Sequence, residues 1–183
     1  AALAKIDFYD KQSQDVPIVE IADHWRQAGE TQKYRDTLYE AAKQALDHFD
    51  LDRARARYLE LSDALDDQQL RNLRWKKTQL ALADIAQRLG KFGQAEQYYR
   101  RATEKSDEGA ISQEQASGLR GFAELLSVQN RHREALDKYR EALQTSQAIN
   151  DSEGRAKAFI GISETQLRSG NLDEQKKAQQ KLE

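Results

Sequence analysis

Apolar residues recur along most of the chain at steps of three and four, the spacing that lines one face of a helix. Leu80, Leu82, Ala83, Ile85, Ala86 and Leu89 form one run, and Phe92, Ala95, Tyr98, Tyr99 and Ala102 form the next. A second pair follows: Leu119, Phe122, Ala123, Leu125 and Leu126, then Ala135, Leu136, Tyr139, Ala142 and Leu143. Between the members of each pair stands a residue that tolerates left-handed backbone, Gly90 in the first and Asn130 in the second. Gly170 falls at the same interval once more, so the three stop residues are spaced forty apart. The pattern predicts helix pairs of equal size, repeated along the chain.

Upstream, Ile18, Ile21, Ala22 and Trp25 predict a helix that opens after Asp15-Val16-Pro17 and stops at Ala28-Gly29. Another stop is expected near Phe49-Asp50, with Ala54, Tyr58 and Leu61 beyond it. Gly29 and Phe49 stand only twenty apart, so the stretch from Thr31 to His48 reads as one long helix serving two neighbours. The expected division is a lead-in over residues 1–16, degenerate repeat-like helices over 17–69, and three forty-residue repeats over 70–183. In the last repeat Gln175 and Gln179 replace the Ala and the aromatic, and the tail is polar, as in a degenerate or capping unit.

Ala83, Gly90, Phe92, Ala95, Tyr99 and Ala102, and then Ala123, Asn130, Ala135, Tyr139 and Ala142, carry a pattern that resembles the tetratricopeptide repeat. The resemblance implies an all-α, right-handed superhelical solenoid of antiparallel helix pairs, and a non-catalytic role in protein–protein interaction. Two features depart from the family. The closing proline is absent, with Asp107 and Gln147 in its place, and the period is forty where about thirty-four is usual. That length is similar to the long-repeat variants of bacterial regulators and light-chain adaptors. Residues 22–30 and Tyr58-Leu59-Glu60-Leu61 also resemble the start of helical arrays in large bacterial signalling proteins, where the repeats follow an ATPase, kinase or cyclase module. A start at Ala1 without methionine fits an excised module of something larger.

In this family the first helix of each pair lines a concave groove. The resemblance places Lys77, Leu80, Asp84, Gln87 and Arg88 there, then Ser117, Arg120, Glu124, Ser127 and Val128, then Lys157, Ile160, Glu164, Leu167 and Arg168. The ninth place is acidic each time, at Asp84, Glu124 and Glu164, and also at Asp23 in the amino-terminal match. Two readings stay open. Asp84 with Arg88 and Glu164 with Arg168 are i,i+4 pairs worth about 0.2–0.5 kcal/mol. Stacked, the same carboxylates form a ladder that selects a partner carrying Lys or Arg. Relatives that clamp the carboxylate tails of chaperones use Asn at the ninth place, so such a tail is expected to be repelled here.

Composition narrows the chemistry further. The 183 residues include no cysteine, which removes disulfides, cysteine-ligated zinc and thiol nucleophiles. A formal charge of −2 gives no reason to expect a polyanion, and the basic clusters at Arg53–Arg57, Arg71–Lys77 and Arg131–Arg133 have acidic neighbours. Glu20 and His24 share a helix face, but no second ligand pair matches them. His132 fills the slot held by Phe92 and Leu172 in the sister units, a packing position, and Trp25 and Trp75 read as packing anchors. Gly90-Lys91-Phe92-Gly93 follows a helix and lacks the glycines of a phosphate loop. The expectation is a cytoplasmic, non-enzymatic chain with no cofactor, metal, nucleic acid or membrane partner. Its partner would be a protein or peptide with basic side chains, or another domain of a larger parent. The runner-up is a regulatory sensor that binds a short peptide or ligand and switches an attached effector.

Overall fold

The computed structural model describes residues 18–65, 73–104 and 112–180. All the regular elements among them are helices: α1 (Ile18–Gln27), α2 (Thr31–Asp47), α3 (Leu51–Leu65), α4 (Leu73–Arg88), α5 (Phe92–Thr103), α6 (Gln113–Val128), α7 (His132–Ala148) and α8 (Ser152–Gln180). The expected lead-in, Pro17, Arg71 and Asp107 lie outside the described residues. The chain divides into two units, residues 1–78 and 79–183, with the boundary inside α4.

Five of the connections are the same device. Gly29, Phe49, Gly90, Asn130 and Asn150 have φ of 75°, 58°, 69°, 61° and 55°. At each, two backbone bonds close the preceding helix: at Gly90, its own N–H donates to the Gln87 carbonyl (3.0 Å) and the Lys91 N–H to that of Ala86 (2.8 Å). The pairs at Asn130 (to Ser127, and Arg131 to Leu126) and at Asn150 (to Gln147, and Asp151 to Ser146) repeat it. This is the Schellman arrangement, which satisfies the last carbonyls and reverses the chain within three residues. Where the next residue is Asp, its side chain also caps the following helix: Asp50 accepts from the Arg53 N–H (3.0 Å) and Asp151 from the Gly154 N–H (2.9 Å).

In the first unit α2 packs on both α1 and α3, as one long helix between two stops should. Leu38, Ala41, Ala42 and Ala45 of α2 are buried, as are Ala54, Tyr58, Leu61 and Leu65 of α3. The Tyr39 and Tyr58 rings meet edge to face at 6.3 Å. Tyr34 donates its hydroxyl proton to Glu60 (2.8 Å) and Arg35 donates to the Ala64 carbonyl (2.9 Å), fixing α2 against α3 at their rim. Arg74, at the start of α4, ion-pairs with Asp36.

In the second unit α6 packs on α5, α7 and α8, and α7 also packs on α8. The core of Ala83, Ala86, Ala95, Tyr99, Phe122, Leu125, Leu126 and Ala135 draws on α4, α5, α6 and α7. Small alanines bring the backbones close, and the Tyr99 ring stacks on Phe122 at 6.1 Å. Arg131 bridges Glu96 of α5 (2.8 Å) to Glu134 of α7 (2.7 Å). The Arg131 and Arg100 hydrogen bonds hold the Glu96 carboxyl below the usual carboxylate range. His132 carries ring nitrogens that are buried without a hydrogen-bond partner, as a packing slot would have it.

The structure departs from the expected pattern at Gly170. Here the helix does not stop: α8 runs from Ser152 to Gln180 straight through Gly170 and Asn171. A turn repays its left-handed residue only if the returning helix buries apolar surface, and Gln175 and Gln179 stand where the earlier units have Ala and Tyr.

Phe49 is 82% exposed with left-handed backbone, so it bears the strain of a bulky residue there with no packing in return. Phe49→Asn should raise the unfolding free energy by about 1 kcal/mol. Urea denaturation checks this; a loss of stability would show that the ring has a contact that matters.

Candidate functional site

The expected groove residues of the second unit fall on α4, α6 and α8. Tyr99 and Tyr139 rise between these helices from α5 and α7. The Tyr99 phenol, buried, feels the charges of Asp84 and Glu124, and its hydroxyl donates to the Gln87 side chain (3.2 Å). Forty residues later the Tyr139 phenol feels Glu124 and Glu164. The three carboxylates are therefore ordered as a series, with a tyrosine between each successive two. Burial, reinforced by Glu124 and Glu164 and opposed by Arg168, pushes the Tyr139 phenol up to about 12. Burial, with Asp84 and Glu124, raises Tyr99 as well.

Between α6 and α8 lies a cavity of about 220 Å³ lined by Glu124, Ser127, Val128, Tyr139, Lys157, Ile160, Gly161, Glu164, Thr165 and Arg168. It brings together seven of the expected residues: Glu124, Ser127, Val128, Lys157, Ile160, Glu164 and Arg168. Ile160 is exposed, and Lys157 pairs with Glu153 at 2.6 Å. Asp84 pairs with Arg88 at 2.9 Å on the α4 side, the i,i+4 contact that its spacing suggested. The remaining residues stand apart from this cavity. Leu80 is half-buried against the α6 backbone at Gly118, where a methyl group would come within 2.9 Å of its Cδ2. Arg120 is half-buried, with its guanidinium beside Gly154 and Ser146. Lys77 is exposed and belongs to the first unit.

Two positions escaped the sequence reading. Gly121 and Gly161 receive the tyrosines: a methyl group at Gly121 would sit 2.7 Å from Tyr99 Cε1, and one at Gly161 would overlap the Tyr139 ring. Their forty-residue spacing was the available signal. A second cleft, about 570 Å³, lies on α5 and α7 over Phe122 and Leu126 and includes none of the predicted residues.

No family model matches the chain, and no curated protein matches it. Solved structures do. BtubC (BKLC) from P. vanneervenii is similar with a TM-score of 0.65 and 20% identity, over 85% of this chain and 73% of that one. Two structures of a Podosopora anserina putative kinesin light chain with nearly identical TPR-like repeats, one of them a point variant, give TM-scores of 0.63 and 0.62 at 11% identity. They cover 98% and 96% of this chain, and 90% and 89% of theirs. This is a tetratricopeptide-like repeat fold. In the TPR-like frame α4 and α5 form one hairpin and α6 and α7 the next, with each tyrosine reaching from the second helix of its own pair to the first helix of the following one. Among the described residues no helix is long and apolar enough to cross a membrane.

The glycine contacts reverse the usual helix preference. Gly93→Ala, in open space on α5, should stabilise by up to about 1 kcal/mol. Gly121→Ala should instead cost about 1–3 kcal/mol, because the added methyl strikes Tyr99. Equal, stabilising shifts in paired urea titrations would remove the ring-on-glycine contact from the account.

Tyr139 also carries a pH signature. Its phenol titrates near 12 when folded and near 10 when unfolded, so the folded state holds the proton more tightly. The resulting stability is fully present below pH 10 and lost as pH rises through 12. Tyr139→Phe should flatten the fall of unfolding free energy in that window; an unchanged slope would count against a shielded phenol.

Proposed function

We propose that the second unit is a non-catalytic docking module that takes a protein or peptide segment carrying Lys or Arg. Its source would be a separate protein or another domain of a larger parent chain. The observation that carries this reading is the pair of carboxylates, Glu124 and Glu164, on one small cavity whose walls include Val128 and Ile160. Val128 and Ile160 are 51% and 58% exposed, enough to receive the methylene stem of a long basic side chain while its head meets the carboxylates. Lys157 competes little, because Glu153 already holds it. Asp84 extends the acidic series beyond the cavity, so a peptide would be read at successive levels. Charges of this kind act mainly through specificity and association rate. The likeness to solved TPR-like repeat proteins supports an interaction scaffold in general.

A second reading, a sensor that changes shape on binding, draws on one contrast. The α4–α6 contact is apolar, through Leu80, Ala83, Ala86, Phe122 and Leu125. The α6–α8 contact is apolar at one end, through Leu119 and Ala158, and polar at the other, where Thr165 and Ser127 meet hydroxyl to hydroxyl at 3.4 Å, both buried. A seam of this kind repacks at lower cost than a close-fitted apolar one.

Fluorescence anisotropy against a set of labelled peptides, matched in length and differing in charge, tests the first reading. Lys- and Arg-containing peptides should bind the wild type, and Glu124→Lys/Glu164→Lys should weaken them by roughly tenfold or more. Equal binding of an acidic peptide by the wild type would overturn the acidic-wall assignment.

A further inference from the structure

Gly154, Ala158, Gly161 and Thr165, at steps of four, three and four, form the buried stripe of α8. Two residues after each stand Ala156, Ile160, Ser163 and Leu167, all exposed. An offset of two residues is about 200° round a helix, so these four make the opposite face. The same four places on α6 are Ala116, Arg120, Ala123 and Ser127, and there the face is covered. Ala116 and Ala123 are 0% exposed, the Arg120 guanidinium lies beside Gly154, and Ser127 meets Thr165. No described residue covers the face on α8.

Two features set the α8 face apart from the one that receives a following helix. Where α6 has Arg120 and Ser127, α8 has Ile160 and Leu167, 58% and 70% exposed, although a face left to water at the end of a stack is kept polar. Small and large also alternate along it: Ala156, Ile160, Ser163, Leu167. A face in this order is complementary to its own reverse. About a two-fold axis between Gly161 and Ile162, Ile160 stands level with Ser163 of the other copy and Leu167 with its Ala156, each large side chain over a small one. Steps of four, three and four are those that keep two paired helices in continuous contact.

Charge selects this register. On one flank Lys157 comes beside Glu164 of the other copy, and by symmetry Glu164 comes beside its Lys157. A slide of one heptad either way would set Lys157 against Lys157, or Glu164 against Glu164. The pair that Lys157 makes with Glu153 inside α8 is exposed and holds it weakly, so the exchange costs little. On the other flank Phe159, itself exposed, comes beside Gln166.

We propose that α8 pairs through this face with α8 of a second copy of the chain, antiparallel and in this register. The interface is isologous and closed, so assembly stops at the dimer. It does not rest on the docking reading. Ile160 and Glu164 serve both, so a second copy and a docked basic segment exclude one another.

The chain has no cysteine, and Ala156 and Leu167 stand eleven residues apart on one helix. That is about 16 Å, too far for a disulfide within one chain. Ala156→Cys/Leu167→Cys should therefore oxidise to a covalent dimer. Ala156→Cys alone should not, because an antiparallel pair holds its two sulfurs equally far apart. Light scattering of the wild type at roughly 100 µM should give twice the chain mass. Leu167→Asp, at an exposed position, should return it to a single chain mass with its helical circular dichroism unchanged. Linking of the single-cysteine variant as readily as the double one would mean a parallel pair or chance collision, and would overturn the proposal. A wild type that stays at one chain mass at every concentration would overturn it equally.

Discussion

Each repeat of the second unit depends on a tyrosine set into a helix that has no side chain to meet it. Tyr99 lies over Gly121 and Tyr139 over Gly161, and the contact does two things at once. It fixes the distance between consecutive first helices, because the ring is rigid and the glycine admits only that one depth. It also holds a phenol among the carboxylates Asp84, Glu124 and Glu164, so the element that spaces the repeats also sits within their field. Packing and electrostatics here are one constraint. A change made to improve either would move the other.

The turns explain how so regular a stack arises from a polar chain. Three-residue links leave little freedom in how the second helix leaves the first, and both capping bonds are local. Contacts are therefore short in sequence, hairpin by hairpin, and each neighbour is added to a surface already formed. The dense exposed ion pairs, such as Asp137 with Arg140 and Lys138 with Glu141, add little to this.

Much of the architecture was legible because it is written in residues with few substitutes. Left-handed backbone at Gly90 and Asn130 and the small residues Ala83, Ala95, Ala123 and Ala135 announce where helices stop and touch. Phe49 shows that period alone can locate a turn even when the residue type argues against it. Gly170 shows the converse: a suitable residue does not turn when the following segment has too little apolar surface to bury. At the α6–α8 cavity, periodicity brought out Glu124, Ile160, Glu164 and Arg168 together. It could not separate Leu80, which shares their register but packs beneath α6, because exposure at that level depends on what the neighbouring helix presents. Gly121 and Gly161 were overlooked for a related reason, since their role is defined by a ring on another helix and not by any local pattern.

The hydroxyl-lined joint between α6 and α8 has a mechanical meaning as well. Thr165 of α8 meets Ser127 of α6 where Leu125 stands one repeat earlier, so this end of the last helix is fastened by a contact that water can replace. Pulled from its carboxyl end, α8 would exchange that hydroxyl contact for water before its Leu119–Ala158 contact parted. A tether attached at that point would feel a compliant first step and then a stiff one.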